Sequence, residues 1–451
     1  CTARKLLLRS LSSNHMCAKE EALSHDDRLS RDSSHLNLSS LGKRSRSNSP
    51  SSRSEKTTVP GAARCGLDVP AEQLPTKHEI RQAIPRHCFE HHLPTALSLL
   101  LRDLVIVFCF GYAANATLRT EEMRLVDWLG WGVYAFFQGS AFTGLWVLAH
   151  ECGHGGFSAS KLINDAVGFV LHSSLLVPYF SWQFSHAKHH AKTNHLVDGE
   201  SHNPDTADDL SYLLGINYYQ LYDVLGDDGF AAFQLFAHLA LGWPIYLLTN
   251  ATGGRRAFGG KPVTGVMDHF RPSSQLFPPQ WSRRIAASTT GVLLVLAGLV
   301  QAGRIFGGAR IFFLYVPAYL VCNSWLVLYT WLQHTHEDLA HYGDDEWSWV
   351  KGALSTIDRP YTECFGFHDW MHHHIGTTHV FHHVFSAAPC YKAVEATRHL
   401  KAFLEPRGLY NYDDRPILQA AWETAKRCHG VASVEGSQYL KHISQLKPKS
   451  S

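Results

Sequence analysis

Four stretches of the chain stay apolar long enough to cross a bilayer core about 30 Å thick, which takes about 20 residues of helix. They run from Ala96 to Leu118, Trp128 to Ala149, Ile285 to Gly303 and Ile311 to Gln333. The first carries Arg102-Asp103 near its start, where charges can snorkel or pair, and the second is uncharged. Gly307-Gly308-Ala309-Arg310 suits a tight hairpin between the last two, and Arg283 and Arg284 precede the third, as the positive-inside tendency predicts for a cytosolic side. Two other apolar stretches are interrupted. Ala231 to Asn250 holds Gln234, His238, Gly242 and Pro244 and is expected as an interfacial or re-entrant helix. Ile163 to Phe180 holds Asp165, His172 and Pro178 and is expected as an interfacial helix.

The head of the chain has a different texture. Residues 1 to about 60 are dense in Ser and Arg, as in Arg44-Ser45-Arg46-Ser47, and are expected to be disordered. The predicted organisation is a disordered tail over 1–75, a membrane domain over 76–405 and a cytosolic C-terminal tail over 406–451. Across all 451 residues, 45% hydrophobic against 18% charged excludes a wholly disordered protein, and a formal net charge of +2 gives no reason to expect nucleic acid. Ten cysteines without a C-x-x-C pair read as reduced thiols. Thirty histidines are the anomaly.

Many of those histidines fall into clusters: His150 and His154; His186, His189 and His190; His379, His382 and His383. Helical residues at i, i+3 and i+4 share a face, so each cluster can aim its imidazoles at one point. His334 and His336 follow the fourth span, and being two apart on a helix they predict that only one of them joins the others. If the clusters share one site, an even number of spans must separate the second from the third. Two do, which places both chain ends on the side of the site. Imidazole suits iron, zinc, copper or nickel, and one zinc is saturated by four ligands. Eight or nine histidines instead fit two metals with positions left open, and two oxygen-activating iron ions match best.

A metalloprotease is the sharpest rival, because His150-Glu151-x-x-His154 also spells its zinc motif, with Asp198 as a candidate third ligand. It leaves six clustered histidines unexplained. A zinc transporter should carry its ligands inside the spans, and the clusters lie outside them. His87, His91 and His92 read as surface or interfacial, whereas His372, His373 and His374 stand close enough to the third cluster to support its ligands.

With Ala83-Ile84-Pro85-Arg86-His87-Cys88-Phe89, Gly155-Gly156-Phe157-Ser158 after the first cluster and Val384-Phe385-Ser386-Ala387-Ala388-Pro389 after the third, the chain resembles the membrane fatty-acid desaturases with three histidine boxes. The likeness covers about residues 80 to 400 and is to the oleate Δ12 acyl-lipid type, with Glu151 in the first box and His379 opening the third. Ala187-Lys188 and Cys390 depart from the plant pattern. The resemblance implies an all-α integral membrane oxidoreductase: four transmembrane helices in two hairpins under a cytosolic helical cap holding a dimetal site. It implies aerobic conversion of an oleoyl to a linoleoyl chain by two iron ions, with O2 as co-substrate. Electrons would come from cytochrome b5 and its NADH reductase, since no His-Pro-Gly-Gly haem motif is present. A related hydroxylase, acetylenase or omega-3 desaturase would use the same boxes. The expected location is the endoplasmic reticulum membrane, multi-pass with both termini cytosolic, and Lys447 and Lys449 have the spacing of a dilysine retrieval signal.

Overall fold

The computed structural model describes residues 73–447, so the expected disorder of the Ser/Arg-rich head and the setting of Lys449 lie outside the described residues. In chain order the helices are α1 (Lys77–Gln82), α2 (Leu93–Thr117), α3 (Leu125–His154), α4 (Lys161–Ser174), α5 (Tyr179–Ala191), α6 (Ala207–Leu214), α7 (Tyr218–Phe236) and α8 (Gly242–Thr249). They continue as α9 (Ser282–Phe306), α10 (Gly308–His334), α11 (Trp349–Leu354), α12 (Phe367–Met371), α13 (His379–Val384), α14 (Ala393–Leu404), α15 (Ile417–Arg427) and α16 (Ile443–Leu446). Two short antiparallel ladders join β1 (Arg256–Ala257) to β2 (Lys261–Pro262) and β3 (Ala340–Tyr342) to β4 (Ser437–Tyr439).

Helix α2 pairs with α3, and α9 with α10, as the two expected hairpins. Their outer faces expose Leu101, Phe108, Leu129, Val133, Leu294 and Phe312, the apolar surface that lipid covers. At 30 residues α3 is about 45 Å long, more than the bilayer core needs, so its last turns stand clear of the membrane. Its first half meets lipid while its second half is buried as far as Cys152. That buried half is rich in Gln138, Gly139, Ser140, Thr143 and Gly144, because close helix packing selects small residues there and not hydropathy. A Cβ on Gly139 would lie 2.5 Å from Val321 and 2.7 Å from the Ala318 carbonyl of α10. Gly139→Val is therefore expected to destabilise the fold by about 1–3 kcal/mol. Thermal unfolding in detergent tests this, and an unchanged midpoint would mean that the helices yield.

By length and hydropathy the helices able to span are Leu93–Thr117, Tyr218–Thr249, Pro279–Phe306 and Gly308–His334. The polar buried half of α3 keeps it from that set. Tyr218–Thr249 is not a straight rod: Gly226 is non-helical at φ 65°, and a π turn over Ala237–Leu241 separates α7 from α8. Its start packs on Ile443 and Leu446 in the cap, the Leu239 carbonyl accepts from Ser324 Oγ at 2.9 Å deep along α10, and Tyr246 returns to donate to Glu200. The segment thus starts beside Ile443 and Leu446, passes Ser324 and ends beside Glu200, a bent course that dips along α10 and returns. Helices α4 and α5 are likewise bent by 106° across Leu175–Pro178.

Residues 406–447, expected as a separate tail, are instead part of the cap. Helix α15 buries Ile417, Ala420, Ala421, Thr424 and Ala425 along one face against α7 and α10, and β4 completes the ladder with β3.

Candidate metal centre

Four helices deliver nine imidazoles to one place. The ring nitrogens of His150, His154, His186, His190 and His382 lie within 4.8 Å of one another, and those of His189, His334 and His383 form a second such group. His379 joins the second, its Nε2 3.0 Å from Nε2 of His334. The clusters therefore do not each converge on one point. On a helix each residue turns about 100° from the last, so positions i+3 and i+4 fall on opposite sides of position i. In α5 the pair His186 and His190 serves the first group and His189 the second. In α13 the pair His379 and His383 serves the second and His382 the first. The i, i+4 pair His150 and His154 lies wholly in the first.

The chain leaves α10 immediately after His334, with Thr335 extended, and the next side chain but one points away. His336 accepts from the Asp338 amide at 3.1 Å beside Arg415 and Arg427. The structure thus brings His334, and not His336, to the others. Gly155, in the left-handed region at φ 79°, stops α3 one residue past His154, as glycine does with least strain.

The groups fit a cation. Burial pushes the His382 imidazole down to about 3 and holds His379 and His383 well below the usual range, leaving neutral rings with a lone pair to give. Nε2 of His382 and of His383 are buried without a hydrogen-bond partner, and Nε2 of His150 and His154 approach to 3.3 Å. Buried lone pairs crowded in this way are costly unless a positive ion satisfies them.

The second nitrogen of several rings is fixed by the protein. His150 donates from Nδ1 to Glu151 Oε1 at 3.0 Å, and the same oxygen lies 3.7 Å from His382 Nδ1. His189 Nδ1 donates to the Glu200 carbonyl at 2.5 Å. Thr193 donates its hydroxyl to the His189 carbonyl and can accept from His383 Nδ1 at 3.1 Å. Such partners set the tautomer and turn Nε2 inward. Helix α13 is itself anchored by Asp358, which accepts from the Val380 amide at 2.7 Å and from the Tyr410 hydroxyl. The adjacent Arg359 donates to the Leu332 carbonyl near the end of α10 and pairs with buried Asp413. Sequence reasoning missed Asp358, Arg359, Tyr410 and Asp413, because no spacing rule joins residues more than 50 positions apart.

The remaining candidates lie elsewhere. His87 pairs with Glu395 at 2.7 Å, His91 Nε2 is 3.0 Å from the Gly155 carbonyl, and His92 Nδ1 is 2.8 Å from Thr95 Oγ1. His372 bridges the Tyr329 hydroxyl and the Ser140 carbonyl, His373 meets Asp103 at 2.7 Å, and His374 meets Asp369. These bonds tie the segment before α13 to the membrane helices. Asp198 pairs with Arg256 at 3.2 Å and is not among the nitrogens around His150 and His154, so the protease reading loses its third ligand. Beside His186 a cavity is lined by Trp146, Trp182, Trp243, Tyr246, Leu326 and Val327 and, on its polar side, by Ser201, His202, His238 and Thr330.

A sequence profile described as fatty acid desaturase matches residues 127–413. The chain is 38% identical over 361 residues to a Delta(12)-fatty-acid desaturase of Arabidopsis thaliana, covering 80% of this chain and 88% of that one. It is 38% identical over 362 residues to an endoplasmic reticulum omega-6 fatty acid desaturase of Brassica juncea, with the same coverage of each. A bifunctional fatty acid conjugase/Delta(12)-oleate desaturase of Punica granatum is 38% identical over 353 residues, 78% of this chain and 84% of its own.

Proposed function

This chain belongs to the fatty acid desaturase family, and from that premise we propose that it is a Δ12 desaturase acting on an oleoyl chain in the endoplasmic reticulum membrane. The observation that carries the reading furthest is the meeting of nine histidines in two groups, with a largely aromatic cavity beside His186 of the first. In this reading His150, His154, His186, His190 and His382 hold one iron ion and His189, His334, His379 and His383 the other. When bound, the irons supply the oxygen-activating chemistry that removes two hydrogens from adjacent carbons.

The protein's own part is positional. Trp146, Trp182, Trp243 and Tyr246 offer an apolar wall along which an acyl chain lies without meeting bulk water. The hydrogen bonds to Glu151, Glu200 and Thr193 hold ring planes and tautomers in place, so little reorganisation accompanies reaction. The balance is one CH2–CH2 unit, one O2, two electrons and two protons giving one CH=CH unit and two waters. The electrons come from outside the chain, from cytochrome b5 reduced by its NADH reductase. In this reading the cap faces the cytosol, and with it Lys447, whose Nζ pairs with Asp223 at 2.6 Å.

Expression in a yeast that makes oleate but no polyunsaturated lipid tests the assignment. Linoleate should appear, and gas chromatography of the fatty acids reads it directly. A hydroxylated, conjugated, acetylenic or omega-3 product would overturn the Δ12 reading.

A further inference from the structure

Two stretches of chain near the histidine clusters differ in charge. Where the chain leaves His334, residues 337–346 carry five exposed carboxylates and no Lys or Arg, and Glu337, Asp344 and Glu346 pair with Arg427, Arg256 and Lys351. The buried helix α13 is covered by α1, the turn Arg86–Phe89 and α14. Residues 77–90 and 392–407, which form that cover, hold seven Lys or Arg against four Glu. Several of these cations sit on aromatic rings. The Arg81 guanidinium lies 3.4 Å above the centre of Phe89, Lys77 Nζ 4.7 Å from Trp349, and Lys401 Nζ 4.6 Å from Tyr412.

Those rings lead inward. The half-buried Phe89 stands 5.1 Å from Phe385 and 6.1 Å from the buried Phe381, which is bonded through the chain to His382. The basic face and the first group of histidines are thus joined by two ring contacts and one peptide link.

We propose that the face made by α1, the turn Arg86–Phe89 and α14 is the docking site of an acidic one-electron carrier, and that electrons enter through Phe89 and Phe381 to His382. This rests on the desaturase reading, whose balance requires two electrons from outside. The carrier is oxidised by one electron at each of two dockings, and the pair is consumed with two protons and the two hydrogens removed from the acyl chain as O2 becomes two waters. Charge steers the choice of face: an acidic protein is drawn to Arg81 and Lys401 and finds no such unbalanced positive charge along 337–346, whose carboxylates are largely ion-paired.

The test uses the full chain in nanodiscs of neutral phosphatidylcholine, with the soluble haem domain of cytochrome b5 as probe. In the double variant Arg81→Glu, Lys401→Glu, Kd and KM for the probe should both rise about tenfold at low salt, and the salt dependence should flatten. Turnover at saturating probe should stay the same. Asp345→Lys on the acidic segment should weaken neither. Phe89→Leu should slow turnover at saturating probe without moving KM, and Phe89→Tyr should restore it. Unchanged binding in the double variant, or equal losses in Asp345→Lys, would overturn the proposal. So would a double variant whose only defect is a lost response to phosphatidylserine in the disc, which would make the face a lipid site. Binding is measured apart from turnover, so a product other than linoleate would sink the Δ12 reading and leave this test standing.

Discussion

Alanine at any one of His150, His154, His186, His189, His190, His334, His379, His382 or His383 should abolish desaturation while the protein still accumulates in the membrane. Removing an outer partner of a metal ligand already lowers affinity or activity by about 10–100-fold, so removing the ligand itself should exceed that. The structure sharpens the expectation by predicting which ion suffers. His382→Ala and His383→Ala alter adjacent residues of one short helix, yet the first depletes the group around His150 and the second the group around His334. Iron analysis of the purified variants should find one ion weakened in each, and Mössbauer spectra should show different survivors. His336→Ala is the control: its ring is engaged with the Asp338 amide, so iron content and product should be preserved. Loss of iron in that variant would refute the assignment of His334. About one zinc and no iron per wild-type chain would favour the protease chemistry instead.

Glu151→Ala should be the most damaging change to a residue outside the nine. One carboxylate oxygen faces Nδ1 of His150 at 3.0 Å and of His382 at 3.7 Å, so a single side chain orients ligands from the first and third boxes. Alanine frees both rings to turn and leaves buried N–H groups unpartnered, for which a loss of about 100-fold in product formation and a matching fall in iron are expected. Glu151→Gln keeps an oxygen acceptor but loses the charge, and it should retain activity reduced about tenfold. Product yield and iron content per chain, measured together, decide the role. Complete loss in the glutamine variant with iron at the wild-type level would give Glu151 a direct part in the chemistry.

The histidines were legible because helical spacing is a local property that any sequence displays. Their division into two groups was not, since it depends on the phase of each helix about its own axis once packed. His334 and His336 show the same limit at smaller scale, because only the end of α10 decides between them. The spans α2, α9 and α10 announced themselves by hydropathy, and α3 by its length and lack of charge. The dip of Tyr218–Thr249 could be suspected from Gly242 and Pro244, while its return rests on distant contacts with Ser324 and Glu200. The supports of α13 were invisible for the same reason. Asp358 and Tyr410 are 52 positions apart, and nothing local marks either as a partner of the other.

Helices α5 and α13 each contribute to both groups, and this makes the protein its own gauge. The spacing between the two sets of nitrogens is laid out on the surface of a helix, between side chains three and four residues along, and not by the reach of a loop. Loops breathe, but helical pitch hardly changes. A turn of α5 about its axis would carry His186 and His190 away from one set as it carried His189 away from the other, so neither can be retuned alone. A one-residue insertion just before His186, leaving the helix otherwise intact, would rotate all three rings by about 100° and turn at least two of them away from both groups. Variation among related chains should therefore collect in the walls of the cavity beside His186 and the charged faces of the cap, where a change disturbs one function at a time.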